Sequence, residues 1–153
     1  MISKKAKYAL KALVYMAKEY QKGPILISKV ATEEKIPKKF LELILLTLKN
    51  NGILQSKKGK GGGYYLGRPP ESITVGRVVR ILDGPLALVP CVSETAYAKC
   101  DECIDERTCG IRLVMKDVRD SIAHILDSTS IADMLEKIKK LEPKEEPSLE
   151  YNI

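Results

Sequence analysis

Apolar residues recur three and four positions apart in the first third of the chain, the spacing of one buried helix face. Ser3 precedes the first such segment as a helix cap, and the segment runs to about residue 20. Ser28 is expected to cap a second, short helix, and a third opens at Pro37 and stops at Asn51-Gly52. The predicted buried stripe of the third helix is Leu41, Ile44, Leu45 and Leu48. Two short helices joined by a tight turn predict a helix-turn-helix.

Two stretches with strand-like alternation, residues 53–56 and 64–66, follow the third helix. The segment KKGKGGG between them predicts a β-hairpin with a flexible, cationic tip. Glycine lets the backbone approach a surface closely, and the lysines supply charge for phosphate oxygens. A solvated loop is the alternative, but a helix-turn-helix followed by a basic two-stranded wing predicts winged-helix DNA binding.

A fourth helix, capped by Thr74, is expected to end at Gly84-Pro85. Residues 86–109 lack a sustained period and predict a long loop, a kind of segment that is usually functional or disordered. Asp105-Glu106 is expected at the start of a long helix to about residue 126, because acidic residues suit the positive end of a helix dipole.

The long helix carries apolar residues that step by 4, 3, 4 and 3, a heptad seam sustained for two heptads. The seam residues are Ile111, Met115, Val118, Ile122 and Ile125. Packing on a copy of itself is favoured over packing on its own domain, because the winged-helix part has enough helices to close its own core. Ser130 with Asp133 predicts the cap of a last helix.

The predicted fold is mainly α with a small β-wing: a winged helix-turn-helix domain plus a long C-terminal dimerisation helix. The winged-helix DNA-binding domain is expected over residues 1–84 and a cysteine-bearing sensor loop over 85–109. The dimerisation helices are expected over 110–141 and a disordered acidic tail over 142–153.

Charge divides the chain into two halves. Through residue 80 there are 17 Lys and Arg against 5 Asp and Glu, and from residue 81 onward there are 9 against 15. The basic half predicts a polyanion partner, here double-stranded DNA. No apolar run approaches the roughly 18 residues of a membrane span, and the N-terminus lacks the apolar region of a signal peptide. A cytoplasmic protein without a membrane partner is therefore expected.

All four cysteines fall between Cys91 and Cys109, at spacings of nine, three and six. In the cytoplasm, clustered thiols more often bind metal or perform redox chemistry than form structural disulfides. Zinc is compatible with the pair Cys100 and Cys103 although the other two stand apart, and an iron–sulfur cluster tolerates irregular spacing on a wrapping loop. A thiol oxidoreductase lacks the βαβ context it needs, and no catalytic constellation accompanies the thiols, so the chain is not expected to be an enzyme.

Three runs of sequence resemble the IscR–NsrR–CymR group of bacterial winged-helix regulators, the redox-response-factor family. They are SKKAKYALKALVYMA, IPKKFLELILLTLKNNGILQSKKGKGGGYYLGRPP and DGPLALVPC, and the resemblance covers about the first 140 residues. The wing motif GKGGGY with the preceding FLE is its most specific part. The resemblance implies a homodimer that crosses its long C-terminal helices and a transcriptional repressor or activator. It also implies an iron–sulfur cluster on the loop before the long helix.

By the same resemblance, Cys91 matches the first cluster cysteine, and Cys103 and Cys109 match the closing pair. Cys100 is an addition to that pattern, and Arg112 stands where IscR-like proteins place a histidine. The fourth ligand is therefore open between Cys100 and a side chain from the partner subunit. The expected cofactor is a 2Fe–2S or 4Fe–4S cluster, and the alternative is a zinc-stapled nucleic-acid-binding adaptor that senses nothing.

The DNA partner is expected to be a pseudo-palindromic operator, with the two third helices of the dimer in successive major grooves. The wing would enter the neighbouring minor groove, and Glu42 matches a family glutamate that is associated with sensitivity to operator sequence. The residues predicted to contact DNA are Lys5, Lys7, Tyr8, Ser28, Lys38, Lys39, Glu42, Lys58, Lys60, Gly61, Gly62 and Tyr64.

Overall fold

Six α-helices and a two-stranded antiparallel sheet form within residues 1–143, the part of the chain that the computed structural model describes. The predicted disordered tail begins at residue 142, and its residues 144–153 lie outside the described part. The elements in chain order are α1 (Lys4–Lys18), α2 (Ile27–Glu33), α3 (Lys38–Asn50), β1 (Leu54–Lys57), β2 (Gly63–Leu66), α4 (Val75–Asp83), α5 (Gly110–Asp127) and α6 (Ile131–Leu141). Single 3-10 turns lie at Pro70–Ser72 and Pro90–Val92. This order of elements confirms the predicted winged helix-turn-helix with a long helix after it.

Three helices begin where a side chain caps them, as the sequence predicts. The Ser3 hydroxyl accepts a hydrogen bond from the Ala6 amide at 3.0 Å, and the Thr74 hydroxyl accepts one from the Arg77 amide at 3.2 Å. At the start of α6, the Ser130 hydroxyl accepts from the Asp133 amide while the Asp133 carboxylate accepts from the Ser130 amide. These bonds satisfy amides that a helix leaves without intrahelical partners.

Two predicted helix starts are wrong. Helix α2 begins at Ile27 with Leu26 as its N-cap, so Ser28 lies in the first turn and does not cap it. Helix α5 begins only at Gly110, because Asp105 is occupied in a local turn. Its carboxylate accepts hydrogen bonds from the backbone and the guanidinium of Arg107, at 2.9 Å and 3.1–3.2 Å.

Helix α1 lies at the centre of the core, with nine of its fifteen residues buried. It contacts α3, α4 and α6, and the predicted stripe of α3 is buried against it and the neighbouring elements. The buried side chains are mostly Leu, Ile, Val and Ala, as expected for a chain without Trp. The core therefore belongs to the winged-helix part of the molecule.

Helix α6 packs back onto this core rather than extending away from it. Ile131 is fully buried, and its amide donates to the Ile73 carbonyl at 2.8 Å, while the Val75 amide donates to the Thr129 carbonyl at 2.9 Å. Of the segment 110–141 predicted for dimerisation, α6 thus contributes to the winged-helix core. Helix α5, by contrast, has no fully buried residue among those described. No described helix is both long and apolar enough to cross a membrane.

Candidate DNA interface and cysteine cavity

The wing is a tight hairpin that depends on glycine. Strands β1 and β2 pair from Leu54–Leu66 to Lys57–Gly63, and the Gly62 amide donates to the Gly59 carbonyl at 3.0 Å. Gly59 has φ +89°, in the left-handed region that favours glycine, and a Cβ on Gly62 would lie 2.8 Å from the Gly59 carbonyl oxygen. This turn leaves the lysines of the tip exposed.

The wing is also anchored to the segment that precedes α2. Ile25 and Tyr64 exchange two backbone hydrogen bonds, of 2.8 and 2.9 Å. Gly63 allows this approach, since a Cβ there would overlap the Ile25 carbonyl. The hairpin is therefore held at a fixed position relative to the helix-turn-helix.

A cleft of about 480 Å³ lies between α3, the start of α2 and the wing. Six of the predicted DNA-contacting residues line it: Ser28, Lys38, Glu42, Lys58, Gly62 and Tyr64. The sequence reasoning missed one further lysine of this cleft, Lys49, whereas Lys57 belongs to the wing segment that was expected to supply charge for phosphates. Lys49 lies seven residues after Glu42, so both belong to one stripe of α3 that a helical projection would have found.

Other predicted contacts lie outside the cleft. Lys39 and Lys60 are exposed, as are Lys5 and Lys7 on α1. The ring of Tyr8 packs edge-on against Phe40, with 5.7 Å between ring centroids.

The basic first turn of α1 has an internal anion beside it. The Asp83 carboxylate accepts a hydrogen bond from the Ser3 amide at 2.8 Å and another from the Ser3 hydroxyl. A carboxylate at the positive end of a helix dipole is favourable. The Asp83 carboxylate therefore compensates part of the positive charge of the nearby lysines. Phosphate contact by Lys5 and Lys7 stays a prediction.

All four cysteines line one cavity of about 790 Å³ in front of α5. Each is a free thiol; Cys100 is exposed and the other three are half-buried, with Cys109 at the N-cap of α5. The Cys100 thiol donates a hydrogen bond to the Glu102 carboxylate at 2.8 Å. This bond raises the pKa of Cys100 and lowers the pKa of Glu102, so it favours the protonated thiol.

The donors around the cavity fit an iron–sulfur cluster in number and type. Four thiols are present, and Arg112, which also lines the cavity, has a buried Nε without a hydrogen-bond partner within residues 1–143. A cluster held by thiolates is a hydrogen-bond acceptor and carries negative charge, so an unsatisfied guanidinium nitrogen suits it. In the described part of the chain no three His, Cys, Asp or Glu side chains are close enough to hold one metal ion. Binding therefore requires the loop to bring the thiols together.

The predicted seam of α5 is exposed at its two ends and half-buried in its middle in the single chain. Ile111 is 69% exposed and Ile125 61%, and Met115, Val118 and Ile122 are half-buried. Leu113 and Val114, which the heptad pattern does not include, are exposed as well. This much apolar surface on one helix is typical of an interaction face.

An ion pair joins the far end of α5 to the winged-helix core. Arg80 on α4 donates two hydrogen bonds to the Asp127 carboxylate, one of them at 2.9 Å. The Arg80 guanidinium lowers the pKa of Asp127, and the carboxylate raises the pKa of Arg80. Gly76 makes the approach possible, because a Cβ there would overlap the Asp127 carboxylate.

Comparison with known proteins places this arrangement in a family. Residues 2–137 match the Rrf2 family model, described as an iron-dependent transcriptional regulator. The chain is 43% identical over 138 residues to an rrf2-like HTH-type transcriptional regulator of Rhodobacter capsulatus, covering 88% of this chain and 92% of the relative.

Two solved structures share the fold over almost their whole length. CymR, the global cysteine regulator of B. subtilis, superposes with a TM-score of 0.75 at 29% identity, covering 90% of this chain and 97% of CymR. IscR of T. potens superposes with a TM-score of 0.74 at 27% identity, covering 95% and 93%. The resemblance seen in the sequence is thereby confirmed: the chain belongs to the Rrf2 family and is a DNA-binding, winged-helix transcriptional regulator rather than an enzyme.

Proposed function

We propose that this regulator is a cytoplasmic homodimer whose affinity for DNA is switched by an iron–sulfur cluster on the loop 85–109. One observation carries the proposal. The cavity with all four thiols lies at the first turn of α5, and the last turn of the same helix is ion-paired to the winged-helix core through Arg80 and Asp127. Helix α5 thus connects the loop to the winged-helix core, and a change in the loop can shift that core through this helix.

DNA contact is assigned to the cleft between α3 and the wing. Lys38 and Glu42 are on the helix side of this cleft and Lys58 is on the wing side. With α3 in the major groove, Lys38 reaches guanine edges or phosphates, and Glu42 accepts a hydrogen bond from a cytosine amine. Lysines of the wing contribute phosphate contacts, which position the protein without specifying sequence.

Dimerisation is assigned to the exposed seam of α5. Two copies that bury this seam around a two-fold axis form an isologous interface. The two α3 helices would then face half-sites one turn of DNA apart, roughly 34–36 Å from centre to centre. An operator with two-fold pseudo-symmetry follows from such a dimer.

Cys91, Cys103 and Cys109 are the proposed cluster ligands, with Cys100 as the fourth from this chain. A cluster bound there would supply a redox-active group and would cross-link the loop through its iron–thiolate bonds. Cys100 must give up its hydrogen bond to Glu102 in order to bind as a thiolate. The Arg112 guanidinium compensates negative charge at the cavity and is not a ligand.

The metal content of protein purified without oxygen tests this assignment. We expect a brown protein that contains iron and inorganic sulfide, and loss of both in Cys91→Ala, Cys103→Ala and Cys109→Ala. Cys100→Ala distinguishes the two sources of the fourth ligand, since full retention of iron would assign that ligand to the partner subunit. Thr95→Ala, a change at an exposed position of the same loop that removes no thiol, serves as the control. Colourless protein with stoichiometric zinc would instead establish the zinc-stapled adaptor.

A further inference from the structure

Two leucines lie at the middle of the outward face of α3. Leu43 is 64% exposed and Leu46 is 47% exposed. The buried stripe of the same helix faces the core, and at 3.6 residues per turn these two positions project to the opposite side. Neither contributes to the hydrophobic core of the domain.

Two polar groups close to these leucines are already engaged. The Thr47 hydroxyl donates to the Leu43 carbonyl at 2.9 Å, and the Asn51 side-chain amide donates to the Thr47 carbonyl at 2.8 Å. On the same face, Lys39 lies one turn before Leu43 and Asn50 one turn after Leu46, and Glu42 lies at the edge. The two leucines are the apolar side chains between these polar groups.

The charge around the leucines favours a polyanionic partner. Lys38, Lys39 and Lys49 are exposed on the same helix, and the wing adds the lysines of its tip across the cleft. A polyanion complements this surface, whereas an apolar protein partner would have to desolvate a group of like charges. In the major groove of DNA, the apolar group at a base edge is the C5-methyl of thymine.

We propose that Leu43 and Leu46 are specificity-determining residues that contact thymine C5-methyl groups in the major groove. This rests on the proposed placement of α3 in that groove. The two residues are separated by about 4.5 Å along the helix axis, and base pairs by about 3.4 Å, so the thymines lie within two base pairs of each other. Each half-site is thus expected to combine these thymines with the cytosine contact of Glu42.

Deoxyuridine scanning tests the proposal, because uracil differs from thymine only in lacking the C5-methyl. The preferred duplex is first selected from a random library with the full-length protein, and each thymine is then replaced singly. At one or two positions per half-site we expect affinity to fall about 4-fold, the value of one buried methylene. In Leu43→Ala and Leu46→Ala, the replacement at the matching position should have no further effect.

Leu88→Ala is the matched control, since Leu88 is 58% exposed and lies outside α3. It should retain the full deoxyuridine penalty. A selected duplex that binds equally well with uracil at every position would overturn this inference and leave the DNA-binding assignment intact. Failure to select any sequence would instead refute the placement of α3. If the α3 variants keep the uracil penalty but change the molecular mass in light scattering, the leucines form a protein interface and the proposal is wrong.

Discussion

Among the described residues that line the cleft between α3 and the wing, Glu42 is the one with a carboxylate. It repels phosphate and is favourable only where a donor such as a cytosine amine faces it. Glu42→Ala should therefore change the base preference at one position of each half-site with little loss of overall affinity. Binding to a panel of single-base operator variants measures this. A uniform loss across the panel would contradict the role, and Glu71→Ala, an exposed change away from the cleft, should leave the preference unaltered.

The wing lysines are expected to act through phosphates alone. Replacing Lys58 and Lys60 by Ala should weaken binding to every sequence and flatten the dependence of log affinity on log salt by about 1.8 per protomer. Replacing Lys137 and Lys139 of α6 removes the same charge elsewhere. If the double wing variant binds as the parent does across a salt titration, the wing is not at the DNA.

The role of a single residue was predictable where it depends on one hydrogen bond to a neighbouring backbone group. Ser3, Thr74 and Ser130 were identified as caps because a hydroxyl at that position bonds to a nearby amide. The prediction for Ser28 was wrong, since the N-cap of α2 is Leu26, two residues earlier, and it makes no side-chain cap. The exposure of Leu43 was not foreseen, because periodicity marks which residues are apolar and not which of them lack a neighbour.

At the scale of elements, α5 is the described helix on which no residue is fully buried. Ile122→Asp would place a charge in the middle of its seam, where a dimer would have to bury it. We expect this change to convert the protein to a monomer of unchanged helix content, as measured by light scattering and circular dichroism. Ser121→Asp is the control, because Ser121 is a polar, exposed residue of the same helix that lies outside the seam. Equal molecular masses for the two variants would refute the assignment of this seam as the dimer interface.

The link between α4 and α5 gives a dependence of stability on pH. Asp127 has a lowered pKa in the folded protein, so its contribution is complete above the ordinary value of about 3.9 and is lost as pH falls through the lowered one. Asp127→Asn should destabilise the protein by about 0.5–1 kcal/mol at pH 7, a small value because the pair is partly exposed. Urea unfolding at pH 7 and at successively lower pH should show the difference from the parent shrinking. A difference independent of pH, or an equal effect of Asp117→Asn, would contradict the assignment.

The type and the order of the helices and strands were predictable from the sequence. The residues at which they begin were less predictable. The hairpin followed from alternation around a glycine-rich tip, and α3 from its apolar stripe. The start of α5 was placed too early, because Asp105 bonds to Arg107 in a turn of its own instead of capping the helix. A carboxylate near a helix start can serve either arrangement, and here the local turn with Arg107 is the one that forms.

In the molecule as a whole, the charge division corresponds to a division of structure. The basic first half forms α1 to α4 with the wing, and the acidic half contains the cysteine loop and α5. Helix α6 returns to the core, so α5 is tied to the winged helix at its last turn and to the loop at its first. The sequence located the four thiols on one loop, but it could not reveal that they surround a single cavity beside Arg112.

The most direct test of the central claim is the operator affinity of one anaerobic preparation before and after removal of its cluster, with iron and sulfide assayed in both states. We predict a change of about 5- to 150-fold, the range of a typical allosteric coupling. Cys103→Ala should match the cluster-free state without treatment. The same affinity in both states, with iron and sulfide present in the first and absent from the second, would contradict the account.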